Sequence, residues 1–321
     1  MLKNYFTIAI RNFWKQKIFS LINVSGLAIG ISAALVIYLL VQFEFSFEKF
    51  RKDNDRIYRV TTDRTLPGES VIKNSGVPMP VPEAVRTDLA GIETATHFVT
   101  TYTTNVSVPA AGSQSPAEFK NQKDIIYADE YYFSIFESDW VAGSKQTALK
   151  DPYQLVLTEE RAKTYFGNLP ANEIIGRRIT YDDSITTTVA GIIKDQTEKA
   201  TDFRFKEFIS LATVMSTGLK DRFGGDDWGN ISSVSQLFIK LKKGARPEQF
   251  DAQLVALREK YRDKKEQAKD DAKHNLQSLN SIHFNTNYGS FDNGRQAHKP
   301  TLYGLLAVCF VPFVIGVYKL H

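Results

Sequence analysis

A chain of 321 residues is long enough for one large domain or two smaller ones. Its formal charge of +4 is carried by the ends, because residues 44–300 hold 35 basic and all 36 acidic residues, and this balance excludes a nucleic-acid surface built on clustered Lys and Arg. The single cysteine, Cys309, excludes an internal disulfide framework and a Cys-based zinc site, and it fits an oxidising compartment without requiring one.

In chain order, residues 1–17 place Leu2, Phe6, Ala9 and Phe13 on one helical face beside Trp14, with Lys3 and Arg11 elsewhere. That pattern predicts an amphipathic helix lying in the cytoplasmic membrane interface. Residues 18–43 follow without a charge, 26 residues and about 39 Å of helix, against a hydrocarbon core of about 30 Å. A cleaved signal peptide has an apolar region of only about 7–15 residues followed by small residues, whereas this run is longer and ends in bulky aromatics, so it reads as an anchor. Gly26, Gly30 and Ala33 form a small-residue face that lets a second helix approach closely. Lys3, Arg11, Lys15 and Lys17 precede the span with no acid among them, which places the N-terminus in the cytoplasm and residues 44–300 outside it.

The span runs into FEFSFEKFRKDNDRIYRV. Phe43, Phe47 and Phe50 fall at i, i+4 and i+7, so one aromatic face is expected to continue the helix to about Asp53–Asp55. Arg56–Val60 then becomes the first strand of the outer domain. A stiff helix entering a core strand directly would transmit motion, and Phe43, Phe47, Phe50, Asp55, Arg56 and Tyr58 are the candidate coupling residues.

The outer region mixes strand and helix. A strand at 56–63 precedes a short helix opened by Pro82 and stopped by Gly91, and 95–108 reads as one strand. The order repeats near the other end, with a strand at 234–241, a helix opened by Pro247, and a strand at 275–284. Strand–helix–strand twice, interrupted by an insertion, predicts a split βαβ lobe over about 55–124 and 231–285. The inserted lobe, about 125–230, is β-rich, with strands at YQLVLT, RRITYD and TTTVAGIIKD and a helix capped by Thr158. Residues 262–273 read as a charged continuation of the Pro247 helix. A second apolar run, 301–318, is barely long enough to span, and Lys319 marks a cytoplasmic return. The fold class is α+β between two transmembrane helices.

Motifs for chemistry are missing from the sequence: there is no GxxxxGK[ST] phosphate loop, no HExxH and no GxSxG. The five histidines are scattered singly, Asp226 and Asp227 lack EF-hand spacing, and Tyr131, Tyr132, Phe133 and Phe136 read as core. No catalytic, cofactor or metal residues are assigned.

The stretches NYFTIAIRNFWKQKIFSLINVSGLAIGI, FSFEKFRKDNDRIYRV, YADEYYFSIFESDWVAGSKQTALKDPYQLVLTEERAKTYFG, IIGRRIT with VAGIIKD, and TLYGLLAV are specific when taken together at these separations. From Tyr5 to about Val308 the chain resembles MacB/FtsX-like permease subunits of ABC transporters, in the version common in Bacteroidetes. The resemblance implies a bacterial inner-membrane protein whose periplasmic core domain has a porter-like lobe and an inserted lobe. It also implies a cytoplasmic ABC ATPase that binds the ATP, a second permease subunit, the lipid bilayer as a partner, and no catalysis by this chain. VCFVPFVIGVYKLH departs from the family, which continues through further spans, so a truncated chain is expected. The rival readings are a two-span sensor with an extracytoplasmic ligand domain and a membrane-anchored enzyme.

Overall fold

The computed structural model describes residues 11, 14–68, 70–109, 115–261, 271–289 and 296–318. The interfacial helix expected over 1–17 falls largely outside these residues, as does most of the helix expected over 262–273, whose last three positions, 271–273, open a strand instead. The chain divides into two units, one formed by the residues up to Ser46 together with those from Ala297 onward, the other by Phe47–Gln296.

In the first unit, helix α1 (Lys17–Phe45) has a mean hydropathy of 2.4 over its most apolar 18 residues, enough to cross a membrane by length and composition. A second helix spans Lys299–Tyr318. The two lie side by side, with the Cys309 thiol 3.5 Å from the Ala34 carbonyl and the Phe45 and Tyr303 rings 5.6 Å apart. Contacts of 34 with 309 and of 45 with 303 run in opposite directions along the chain, so the helices are antiparallel.

Helix α1 stops at Phe45, short of the expected Asp53–Asp55. The Ser46 amide and hydroxyl both donate to the Phe43 carbonyl, and Glu48 adopts φ 60°, a left-handed conformation that an α-helix cannot contain. Residues 46–53 are turn and bend. The aromatic spacing was therefore helical in period only.

Among its described residues the second unit holds one sheet of thirteen strands: β1 (Ile57–Thr65), β2 (Ile72–Asn74), β3 (Ile92–Thr100), β4 (Thr104–Val108), β5 (Ala117–Gln122), β6 (Ile125–Ala128), β7 (Trp140–Gly143), β8 (Gln154–Thr158), β9 (Arg178–Tyr181), β10 (Ile185–Ile193), β11 (Glu207–Ser210), β12 (Ser235–Leu241) and β13 (Asp271–Ser278). Their order is β13-β1-β12-β3-β6-β11-β8-β10-β9-β4-β5, with β2 on β1 and β7 on β10. At one end β12 lies antiparallel between β1 and β3, and β1 lies antiparallel between β12 and β13. Each strand–helix–strand unit thus has a strand of the other between its own two, which is the split βαβ arrangement. Helix Val81–Asp88 joins β1 to β3, and helix Asp251–Tyr261 joins β12 to β13.

Alternation along β12 explains its complete burial. Leu237, Ile239 and Leu241 face Val81, Val85, Leu254 and Leu257 of the two helices, with Phe250 just before the second. Phe238 points to the opposite face, where it stacks on Phe98 with ring centroids 5.7 Å apart and joins Phe136, Phe203 and Phe205. The remaining strands enclose a third cluster around Leu155, Leu157, Ile179 and Val189.

Three details depart from the sequence reading. The strand expected over 95–108 breaks at 101–103, and the β4–β5 hairpin pairs with β9, away from the lobe to which its position in the chain assigns it. Strand β13 begins at Asp271 and ends at Ser278, after which 279–284 wind as a 3-10 turn. The Pro247 helix opens with a 3-10 turn, Pro247–Phe250, before Asp251–Tyr261. Thr158, in contrast, caps helix Glu159–Phe166 as its sequence predicts, accepting from the Arg161 amide, with Glu159 and Glu160 in the first turn.

Candidate functional site

The segment immediately after α1 is folded into the outer domain. Glu48 donates its amide to the Ala200 carbonyl at 2.9 Å. Its carboxylate Oε1 accepts from the Thr201 hydroxyl at 2.6 Å and from the Asp202 amide at 2.8 Å, while Oε2 accepts from Arg51 Nε. Arg51 Nη2 also donates to Thr201 Oγ1 at 3.1 Å, and the guanidinium lies over the rings of Phe50, Phe136 and Phe203 at 4.8–5.2 Å. Both charged side chains are nearly inaccessible, at 1% for Glu48 and 3% for Arg51.

Phe47 stacks on the His283 ring, centroids 3.4 Å apart, and His283 Nδ1 lies 3.0 Å from Asp202 Oδ1. Asn54 donates to the Glu48 carbonyl and accepts from Asn280 Nδ2, both at 3.2 Å. The loop at 200–203 therefore holds two passages of chain at once: 47–54, following the first helix, and 279–284, preceding the second. The three segments form a clasp.

Next along the chain, Arg56 reaches Asp53 at 2.8 Å and Glu93 at 2.6 Å, and Lys240 reaches the same two carboxylates at 2.8 and 3.2 Å. The Lys240 hydrogen bond, foremost, holds Asp53 below its ordinary carboxylate value; the Arg56 hydrogen bond, foremost, does the same for Glu93. Arg59 is fully buried on β1, and desolvation brings its pKa down to about 10; its Nη2 donates to Gln277 Oε1 and to the Gly289 carbonyl.

Of the coupling residues read from the sequence, Phe47, Phe50 and Arg56 all belong to this clasp and its flanking ion network. Asp55 is exposed, and Tyr58 packs against the cluster between sheet and helices, where burial raises its pKa. Phe43 lies in the other unit, as do Gly26, Gly30 and Ala33. A Cβ at Gly26 or Gly30 would meet nothing within 4 Å, so that face of α1 is open. Sequence reasoning missed Glu48, Arg51, Thr201, Asp202 and His283. The Glu48–Arg51 spacing of three was the only local hint, and it is also the spacing of an ordinary helical surface pair.

Among the described residues, one hydroxyl–imidazole pair is Ser235 Oγ, 2.9 Å from His97 Nε2. Both residues are buried, Asp129 accepts from the His97 backbone amide, and desolvation pushes the imidazole down to about 3. This arrangement ties β3 to β12. Asp226 pairs with Lys220, Asp227 accepts from the Gly229 amide, and among the described residues no three His, Cys, Asp or Glu converge on a metal position.

Two cavities open beside the clasp and share Arg51. One, of about 340 Å³, is walled by Tyr132, Phe136, Phe203, Phe205 and Phe208. The other, of about 530 Å³, is lined by Phe50, Arg51, Trp140 and several lysines.

The family model of the MacB-like periplasmic core domain matches residues 20–257. Among solved structures, a domain assigned to a permease protein from Porphyromonas gingivalis is 19% identical with a TM-score of 0.57, the match covering 80% of this chain and 98% of that one. The periplasmic region of MacB from Actinobacillus actinomycetemcomitans is 11% identical with a TM-score of 0.47, covering 71% and 91% respectively. No curated protein matches the chain.

Proposed function

Because the chain belongs to the family of the MacB-like periplasmic core domain, a component of transporter permeases, we propose that it couples ATP hydrolysis on a separate cytoplasmic ATPase to movement of its outer domain. That movement would export or release a substrate on the far side of a bacterial inner membrane. ATP would be held by the ATPase. The open Gly26, Gly30 and Ala33 face of α1 would receive a helix of a second permease subunit.

The observation that carries this reading is the clasp. Helix α1 ends at Phe45, and the next residues, Phe47 and Glu48, are already buried in the outer domain. A passive anchor tolerates a flexible linker, whose slack would absorb displacement. Here Ser46 alone separates the end of the helix from the stacked and hydrogen-bonded residues.

The test is a Gly-Ser-Gly-Ser insertion after Ser46 in the full chain assembled with its ATPase. ATP turnover is expected to continue while export is lost. Export that persists at the original rate would reduce the clasp to a fixed exit from the membrane.

A further inference from the structure

We propose that the cleft of about 530 Å³ beside the clasp binds a phosphate-type anion, either the headgroup of an anionic lipid or a free phosphate. Its size is that of a small-molecule site. Lys52, Lys145, Lys194 and Lys199 line it, and none of the four has an ion-pair partner among the described residues. Glu137, Asp139 and Asp195 also line the cleft. The Asp195 carboxylate accepts from the Glu160 amide and keeps its charge, so the unpaired lysines outnumber the lining carboxylates four to three.

A second observation is independent of charge. Two lining residues carry buried N–H donors with no acceptor among the described residues, Arg51 Nη1 and Trp140 Nε1. Buried donors are almost always paired, by protein or by ordered water, and an acceptor-rich occupant of the cleft would satisfy both. Phosphate offers several acceptor oxygens at once and is well matched by lysine point charges. The Phe50 ring, 4.8 Å from the Arg51 guanidinium and 5.6 Å from the Lys199 ammonium, supplies an apolar wall that attracts both cations.

The covalent chain bounds the location. Lys52 follows the end of α1 by seven residues, which span at most about 25 Å even when fully extended. On the reading of α1 as a membrane span, a lipid headgroup is within reach, and this step alone rests on the function proposed above.

Trp140 gives the measurement. In the full chain with Trp14→Phe and Trp228→Phe, Trp140 is the only tryptophan left. Its emission would be followed during titration with inorganic phosphate, with dihexanoyl phosphatidylglycerol, and with zwitterionic dihexanoyl phosphatidylcholine. A saturable change with phosphate or phosphatidylglycerol, weakened at least tenfold in Lys194→Glu/Lys199→Glu and retained in Lys194→Arg/Lys199→Arg, supports the site. Response to phosphatidylglycerol alone identifies a headgroup, and response to inorganic phosphate identifies a free anion. No saturable change with either, an equal response to phosphatidylcholine, or undiminished binding in the charge-reversed variant overturns it. Lys194→Gln/Lys199→Gln, with an unchanged circular dichroism spectrum, replaces the reversal if that variant misfolds. No ATPase enters the assay, so failure here leaves the coupling reading standing, and loss of the coupling reading leaves the binding result intact.

Discussion

Two charge clusters flank the entry into the outer domain, and they differ in solvent access. Glu48 and Arg51 are nearly inaccessible to water among Phe47, Phe136, Phe203 and the 200–203 loop, although Arg51 borders both cavities. Asp53 and Arg56 follow shortly after and meet Glu93 and Lys240, the four having side-chain exposures of 24, 13, 43 and 11% in that order. The second cluster keeps partial access to water, chiefly at Glu93, so its pairs are worth less than those of the first. The first has exchanged hydration for a fixed set of partners, and it holds only while every partner is present. Neighbouring positions in the chain can therefore carry charge pairs of very different worth.

The largest expected effect comes from breaking the buried cluster from one side. Glu48→Ala leaves the Arg51 guanidinium buried without its carboxylate, and should lower unfolding stability by about 3–5 kcal/mol in urea titrations of the full chain. Removing both charges sharpens the point. Glu48→Ala/Arg51→Met should be less destabilised than Glu48→Ala alone, because no uncompensated charge remains; a double variant that is the weaker of the two would contradict the buried-pair argument.

Thr201→Val tests the loop side. Its hydroxyl donates to Glu48 and accepts from Arg51 and from the Phe203 amide, so the loss should be about 1–3 kcal/mol by the same titration. Asp53→Asn in the open network should have the smallest effect and a distinctive pH profile. The folded pKa values of Asp53 and Glu93 lie below their ordinary values of 3.8 and 4.5. Their contribution is thus fully present above about pH 4.5 and is lost as pH falls through the lowered values. The difference in urea midpoint between wild type and Asp53→Asn should accordingly shrink as pH drops from 6 to 3.

The sequence made some of this architecture readable and hid the rest for identifiable reasons. The lobe with the split βαβ order is governed by local signals: Pro82 and Pro247 at helix starts, and alternation in 56–63 and 234–241. The cap at Thr158 is equally local. The clasp is not, because Glu48 finds its partners about 150 residues away at Thr201 and Asp202. An aromatic stripe at helical spacing, Phe43–Phe47–Phe50, was compatible with a continued helix until those distant acceptors and donors were known. The β4–β5 hairpin was hidden similarly, since its pairing with β9 depends on the order in which the inserted strands stack.

The sheet itself has a consequence for how the domain bears load. Strands β3 and β6 meet through only three residue pairs, Phe98–Ala128, Val99–Tyr127 and Thr100–Ile126, and the next junction, β6 with β11, is a short parallel ladder of four. Further along, β11 meets β8 through three pairs and β9 meets β4 through two, so every junction from β3 to β8, and the one into β4, is short, and the aromatic cluster of Phe98, Phe136, Phe203 and Phe238 lies against the first of them. A pull applied at β1 would reach β5 as shear across those junctions, with no slack to take up on the way.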